Sequence, residues 1–295
     1  MPGVVGIPFV TIYTVVFLYY LFSILPSTIH YFISDILSFF LSFFYRKKVV
    51  KKNLLNSFPD LSKNKIKEII KLFYKNLCDV FIETIKGYSI SKKELKSRVK
   101  YKNIEHINNH IKNNERVILI TSHQCNWEWL LVSLEINLVS NLHAIYKKLS
   151  SNIFDQIMYK GRSKFGTILI EDRKVVKFLK NNLNSVKALV IAADQSPGFK
   201  NTKIWTKMLN QDTAFFQGIE LLPKITNSIV YFMSMRRIKR GKYTIEFKHL
   251  SSPPYDKNKT EILPLYASTV EDLINERPHE WLWSHKRWKL KKAIK

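Results

Sequence analysis

Between Thr121 and Trp129 the chain reads TSHQCNWEW, setting a histidine and a glutamate five residues apart just after the apolar run Arg116–Thr121. On one continuous helix that spacing separates the side chains by about 140°, so His123 and Glu128 would not share a face. A strand that ends before His123, a turn, and a helix beginning at Asn126 remove the difficulty by folding the imidazole back over the helix start. Glu128 is then expected to bond one imidazole nitrogen, fixing the tautomer and stabilising the imidazolium, while the other nitrogen takes a proton. General-base assistance of this kind is worth roughly 10²–10⁴ in rate. The N–H groups of the helix start suit a developing oxyanion or a phosphate. By spacing alone a purely structural His and Glu is the commoner reading, and Asn126 reads equally well as an N-cap. A zinc site lacks its HExxH, and the nearest other histidine is His143. Ser122 lacks the glycines of a nucleophile elbow. Two cysteines, Cys78 and Cys125, are too few for a disulfide framework or a four-thiolate zinc site, and they fit a reducing compartment.

The elements that must position these residues alternate between strand and helix. Short apolar runs at Arg116–Thr121, Thr167–Ile170, Ala188–Ala192 and Ile229–Met233 read as buried strands, and Tyr243–Lys248 alternates like a half-exposed one. Helical spacing covers Ser62–Gly87, with Ser62 as N-cap and Gly87 as stop, and also Asn126–Leu138, Lys174–Leu183 and Gln217–Thr226. The fold class expected is α/β, a mixed central sheet flanked by helices.

Ahead of this body stands an apolar leader. The 295 residues carry 48 Lys+Arg against 23 Asp+Glu, a net charge of +25, yet residues 1–45 contain a single charge, Asp35. The leader is read as a membrane anchor over residues 1–45, with residues 46–295 as the soluble domain. Val4–Leu25 is long enough to span a hydrocarbon core of roughly 30 Å. No basic n-region or small-residue cleavage site marks it as a signal peptide. In Ile29–Tyr45 the polar residues His30, Ser34, Ser38 and Ser42 recur every four positions, the stripe of a helix (about 28–45) lying at the interface or against the domain. Arg46, Lys47, Lys48, Lys51 and Lys52 follow at once, which makes this end cytoplasmic by the positive-inside rule. A basic body on an apolar leader points to acidic partners at a membrane: anionic lipid, an acidic protein or nucleic acid. Trp281, Trp283 and Trp288, interleaved with His285, Lys286 and Arg287, read as interfacial aromatics beside anionic headgroups, or else as rings packed on the sheet. Single-stranded nucleic acid is the weaker reading, given the leader.

The histidine and glutamate at a strand end resemble the H-x4-D/E motif of the lysophospholipid acyltransferase superfamily and, more narrowly, the bacterial lipid A biosynthesis (late) acyltransferases. The resemblance runs through NLLNSFPDLS (Asn53–Ser62), Tyr146-Lys147, Arg162, Asp194-Gln195 and Thr213–Phe216 to PHEWLWSHKRW (Pro278–Trp288). A glycine usual before the histidine is Ser122 here, and one common two places after it is Cys125. The resemblance implies that His123 deprotonates an acceptor hydroxyl, with Glu128 orienting and charging it. The hydroxyl then attacks a thioester without a covalent enzyme intermediate. Arg162 would lie near a substrate phosphate or the oxyanion, and Asn126, Trp127, Asp194 and Gln195 would line or brace the site. The implied donor is acyl-acyl carrier protein. The implied acceptor is an anionic glycolipid of the lipid A pathway, or a lysophospholipid or amino-acid-based lipid. The expected location is the cytoplasmic face of the inner membrane, with no metal and no cofactor.

Overall fold

The computed structural model describes residues 9–256 and 258–292, with residues 9–12 described by their backbone alone. Part of the expected span, residues 4–8, lies outside them. The apolar leader forms two helices, α1 (Phe9–Ile24) and α2 (Ser27–Phe44), broken by Pro26. After α3 (Lys47–Ser57) comes the long α4 (Lys63–Ser89), whose N-cap Ser62 accepts the Lys65 amide as the sequence predicts. Gly87 does not stop this helix. It lies inside it, where a Cβ would come within 3.4 Å of the Trp129 indole nitrogen, so the glycine permits close packing.

The body continues through α5 (Lys92–Arg98), β1 (Val99–Tyr101), α6 (Ile104–Lys112), β2 (Val117–Thr121), α7 (Trp127–Glu135), β3 (Leu142–Tyr146), α8 (Asn152–Ser163) and β4 (Ile168–Glu171). Then come α9 (Val175–Asn182), β5 (Ala188–Ala192), the hairpin β6 (Lys203–Met208) and β7 (Gln211–Phe216), α10 (Gly218–Thr226), β8 (Ile229–Lys239), β9 (Lys242–Ser251) and α11 (Ile262–Glu276). Seven strands make one mixed sheet in the order β1-β9-β8-β2-β5-β3-β4, parallel throughout except for the β8–β9 pair, and β6–β7 stand apart. The α/β expectation holds.

β2 is the central strand, buried along its whole length. Ile118 and Ile120 point into a core shared with α4, α10, α11 and the tail tryptophans, and Val117 and Leu119 into a core shared with α6 and α7. Burial on both faces explains its continuous apolar run. β3 (LHAIY) escapes the sequence reading because His143, buried in it, interrupts the apolar pattern.

α2 is amphipathic in the inverted sense. His30 and Ser34 are buried against the body, while Phe32, Phe39, Phe40, Phe43 and Phe44 face outward. Ser34 donates to Asp79 at 2.6 Å and Tyr31 to Glu83 at 2.7 Å, both on α4. It is also long and apolar enough to cross a membrane by length and composition.

Candidate active site

Strand register assembles the site. Parallel pairing sets Thr121 of β2 opposite Ala192 of β5, and the Ala193 amide still donates to the Thr121 carbonyl at 3.1 Å. His123 and Asp194, each two residues past its strand, therefore leave the sheet side by side, at the carboxyl ends of the strands where open α/β sheets place their ligands. Asp194 Oδ1 lies 2.6 Å from His123 Nδ1. Its Oδ2 accepts the His123 amide at 2.9 Å and the Trp281 indole N–H at 2.7 Å. Burial alone would push the Asp194 carboxyl up. The neighbouring imidazole and these donors outweigh burial and hold it below the usual carboxylate range. An ionised Asp194 requires a proton on Nδ1 and leaves the lone pair on Nε2, toward which Gln195 Nε2 donates at 3.1 Å. The imidazole is 17% exposed, with the Gln195 amide covering Nε2.

The expected bond from Glu128 to the imidazole is not made, and this corrects the sequence reading. Both imidazole nitrogens are occupied by Asp194 and Gln195, and the Glu128 carboxylate is held elsewhere. Arg162 of α8 grips it side-on, Nε to Oε2 at 2.9 Å and Nη2 to Oε1 at 2.7 Å, and the Trp127 indole adds a third donor at 3.1 Å. Burial pushes Glu128 up, but the guanidinium charge and its two bonds bring it below the ordinary range, and Glu128 in turn holds Arg162 protonated. The physical reason is directional: Glu128 opens α7 and points toward α8, across from the β5 loop that reaches the imidazole. Trp127 bridges the two units, its ring edge-on to His123 at 5.5 Å while its N–H meets Glu128.

Asn126 is the N-cap of α7, accepting the Trp129 amide at 2.9 Å, and its amide nitrogen donates to Glu83 Oε2 of α4. Glu83 also accepts from Tyr243 at 2.6 Å and Tyr31 at 2.7 Å. Burial is the main influence on Glu83 and pushes its carboxyl up, against the opposing pull of Arg237 and these hydroxyls. Cys125 has φ 55 and is fully buried. The turn needs left-handed backbone at the position where glycine is common in the resembling family.

The C-terminal segment does not place its tryptophans at a membrane. Trp281 and Trp283 are 2% and 0% exposed. Trp283 donates to the Pro278 carbonyl and Trp288 to Thr213 at 2.8 Å. This segment runs along the turn between β2 and α7: Cys125 N donates to Glu280 O at 3.0 Å and Leu282 N to His123 O at 3.1 Å. His285 Nε2 accepts the Ser196 amide at 2.9 Å, so it is neutral, and burial lowers it to about 4. Trp281, His285 and Glu83 are positioning residues that the sequence reading missed. For Glu83 a signal existed: Asn76, Asp79 and Glu83 recur at three and four positions among the apolar residues of the buried face of α4.

Beside the Glu128–Arg162 pair lies a narrow cleft lined by Tyr19, Gly87, Trp129, Val132, Ile157 and Met158 among others. Among the described residues no group of His, Cys, Asp and Glu is arranged to hold a metal.

An imidazole paired with a buried aspartate, near a half-buried arginine held by a glutamate, is an arrangement able to serve base-catalysed group transfer. The family model of bacterial lipid A biosynthesis acyltransferases matches residues 7–290, nearly the whole chain. The chain belongs to that family of acyltransferases. A search of curated proteins finds no significant match.

Proposed function

We propose that this protein transfers a fatty acyl chain from acyl-acyl carrier protein to a hydroxyl of a lipid A precursor, at the cytoplasmic face of the inner membrane. The observation that carries the reading is the His123–Asp194 pair at 2.6 Å, with Nε2 on the other side of the ring facing the Gln195 amide. His123 Nε2 takes the acceptor's hydroxyl proton as its oxygen attacks the thioester carbonyl. Asp194 keeps Nδ1 protonated and stabilises the imidazolium. The imidazolium then gives the proton to the departing thiolate, so no covalent enzyme intermediate forms.

In this reading Glu128 acts through Arg162. Its carboxylate fixes the Nε–Nη2 edge of the guanidinium and leaves Nη1 outside the pair for a substrate phosphate or the oxyanion. The net charge of +25 favours encounter with an acidic carrier protein and a phosphorylated acceptor. The outward phenylalanines of α2 bury in the interfacial layer, with the helix lying along the body.

The test incubates membranes containing the protein with acyl-acyl carrier protein and a tetra-acylated lipid A precursor, and compares products by mass spectrometry for wild type and His123→Ala. The expected result is a gain of one acyl chain, absent in the variant. Acylation of a lysophospholipid or lipoamino acid instead would move the acceptor assignment, and no acylation of any acceptor would refute the enzyme reading.

A further inference from the structure

The amide of Gln195 occupies the one imidazole position that the acyl-transfer chemistry needs. Asp194 claims the Nδ1 proton, so Nε2 holds a lone pair, and only the nitrogen end of the Gln195 amide can satisfy it at 3.1 Å. The position of this side chain is itself set. Asp194 before it is clamped by His123 and Trp281, and the Ser196 amide after it is clamped by His285 at 2.9 Å. An acceptor hydroxyl must reach the same Nε2 to hand over its proton, so it must displace the Gln195 amide. On a fixed backbone a displaced amide stays within a few ångströms of the attacking oxygen, beside the carbonyl under attack.

We propose that Gln195 is a catalytic residue with two successive duties: its N–H caps the base while no acceptor is bound, and it donates to the developing oxyanion once the acceptor hydroxyl has displaced it. The inference rests on the acyl-transfer reading above. The proton goes from the hydroxyl to Nε2 as the C–O bond forms, and the carbonyl π pair moves onto oxygen, where the amide N–H meets it. Collapse of that intermediate breaks the C–S bond, and the thiolate leaves with the imidazolium proton. The cap has a consequence for water, the other nucleophile that could use the base. With Nε2 occupied, a lone water has to compete with an intramolecular donor, whereas an acceptor anchored by its own headgroup contacts displaces that donor easily.

The experiment uses the full-length protein in membranes, with an acyl-acyl carrier protein thioester, in the presence and absence of the lipid acceptor. It compares wild type with Gln195→Met, which keeps length and loses the donor, and Gln195→Glu, which keeps shape and reverses the polarity. For Gln195→Met, transfer kcat is expected to fall by roughly 10²-fold, the scale of one lost oxyanion donor. The acceptor KM is expected to fall, because no amide has to be displaced from Nε2, and the melting temperature to stay unchanged, while the ratio of thioester hydrolysis to transfer rises. For Gln195→Glu the new carboxylate holds a proton on Nε2, so the pH at which transfer becomes half-maximal moves up by roughly 1–3 units. A Gln195→Met kcat within threefold of wild type, or an unchanged hydrolysis-to-transfer ratio, would overturn the proposal. A wild type that transfers no acyl chain to any lipid would instead overturn the reading on which it rests.

Discussion

At the residue scale the chemistry turns on two buried carboxylates with different partners. Asp194 is bound to the imidazole and Glu128 to a guanidinium, so their substitutions are expected to fail differently. Replacing Glu128 with Ala leaves the half-buried Arg162 without its anion, at a cost of about 1–3 kcal/mol in stability, readable as a lowered melting temperature and a raised acceptor KM. Both carboxyls sit below their ordinary range in the folded protein. Their stabilising contribution is therefore complete above the unfolded carboxylate range and is lost as pH falls through the depressed folded values. Melting temperature followed downward from neutral pH should drop across that acid window, and the drop should be shallower in Asp194→Asn. Cys125 offers a separate check. Left-handed backbone costs a residue with a side chain roughly 1–2 kcal/mol, while burial of the thiol returns a similar amount. Cys125→Gly is expected to change stability by less than about 1 kcal/mol, whereas Cys125→Val, β-branched at φ 55, should be severely destabilised.

At the scale of elements, three segments hold the turn between β2 and α7. β5 supplies Asp194 through its register, α4 supplies Glu83, and the tail from Glu280 to His285 lies along the turn. Removing the Glu83 carboxylate strands the hydroxyls of Tyr31 and Tyr243 and the amide of Asn126. Glu83→Leu is thus expected to lose several kcal/mol, on the scale of about 1–3 kcal/mol per unsatisfied buried group. Glu83→Gln can accept from Asn126 and Tyr243 while donating to Tyr31, and it should fold and retain most activity; parallel denaturation and transfer assays separate the two. The strand–turn–helix was legible because a continuous apolar run followed by an Asn cap specifies it locally. The partner of the histidine was not. A carboxylate five residues away looked nearer than one seventy-one positions on, but adjacency here is set by the pairing of Thr121 with Ala192, which no local pattern encodes. The tail tryptophans left two readings open for a related reason: aromatics among bases look the same whether their N–H groups meet headgroups or a buried aspartate, and the packed reading is the one the structure shows.

At the scale of the whole molecule, the sheet, the site and the leader form one continuous structure. Midway along α2, Asp35 pairs with Arg240 at 2.9 Å and Lys75 at 3.5 Å, so charged groups of the body run beside the helix. A helix so accompanied fits an orientation in the plane of the interface, with its phenylalanines in the acyl region and Lys47, Lys48, Lys51 and Lys52 near anionic headgroups. The first half of the every-fourth-residue polar stripe, His30 and Ser34, is the face that α2 buries against the body. Replacing Phe32, Phe39 and Phe43 together by Ser is expected to weaken flotation with anionic vesicles, by about tenfold or more per ring at roughly 1.5 kcal/mol each. Folding should be unchanged, because these rings already face outward.

In the proposed mechanism Asp194 orients the base while Glu128 holds the arginine. The most direct test is the kinetics of acyl transfer by Asp194→Asn beside Glu128→Gln, each with its fold verified by thermal melting. The expected result is a kcat loss of about 10³–10⁴ for Asp194→Asn at near-normal KM, the cost of a wrongly oriented imidazole, with Glu128→Gln acting mainly through KM. A near-normal kcat in Asp194→Asn, with the large kcat loss falling on Glu128→Gln, would contradict it.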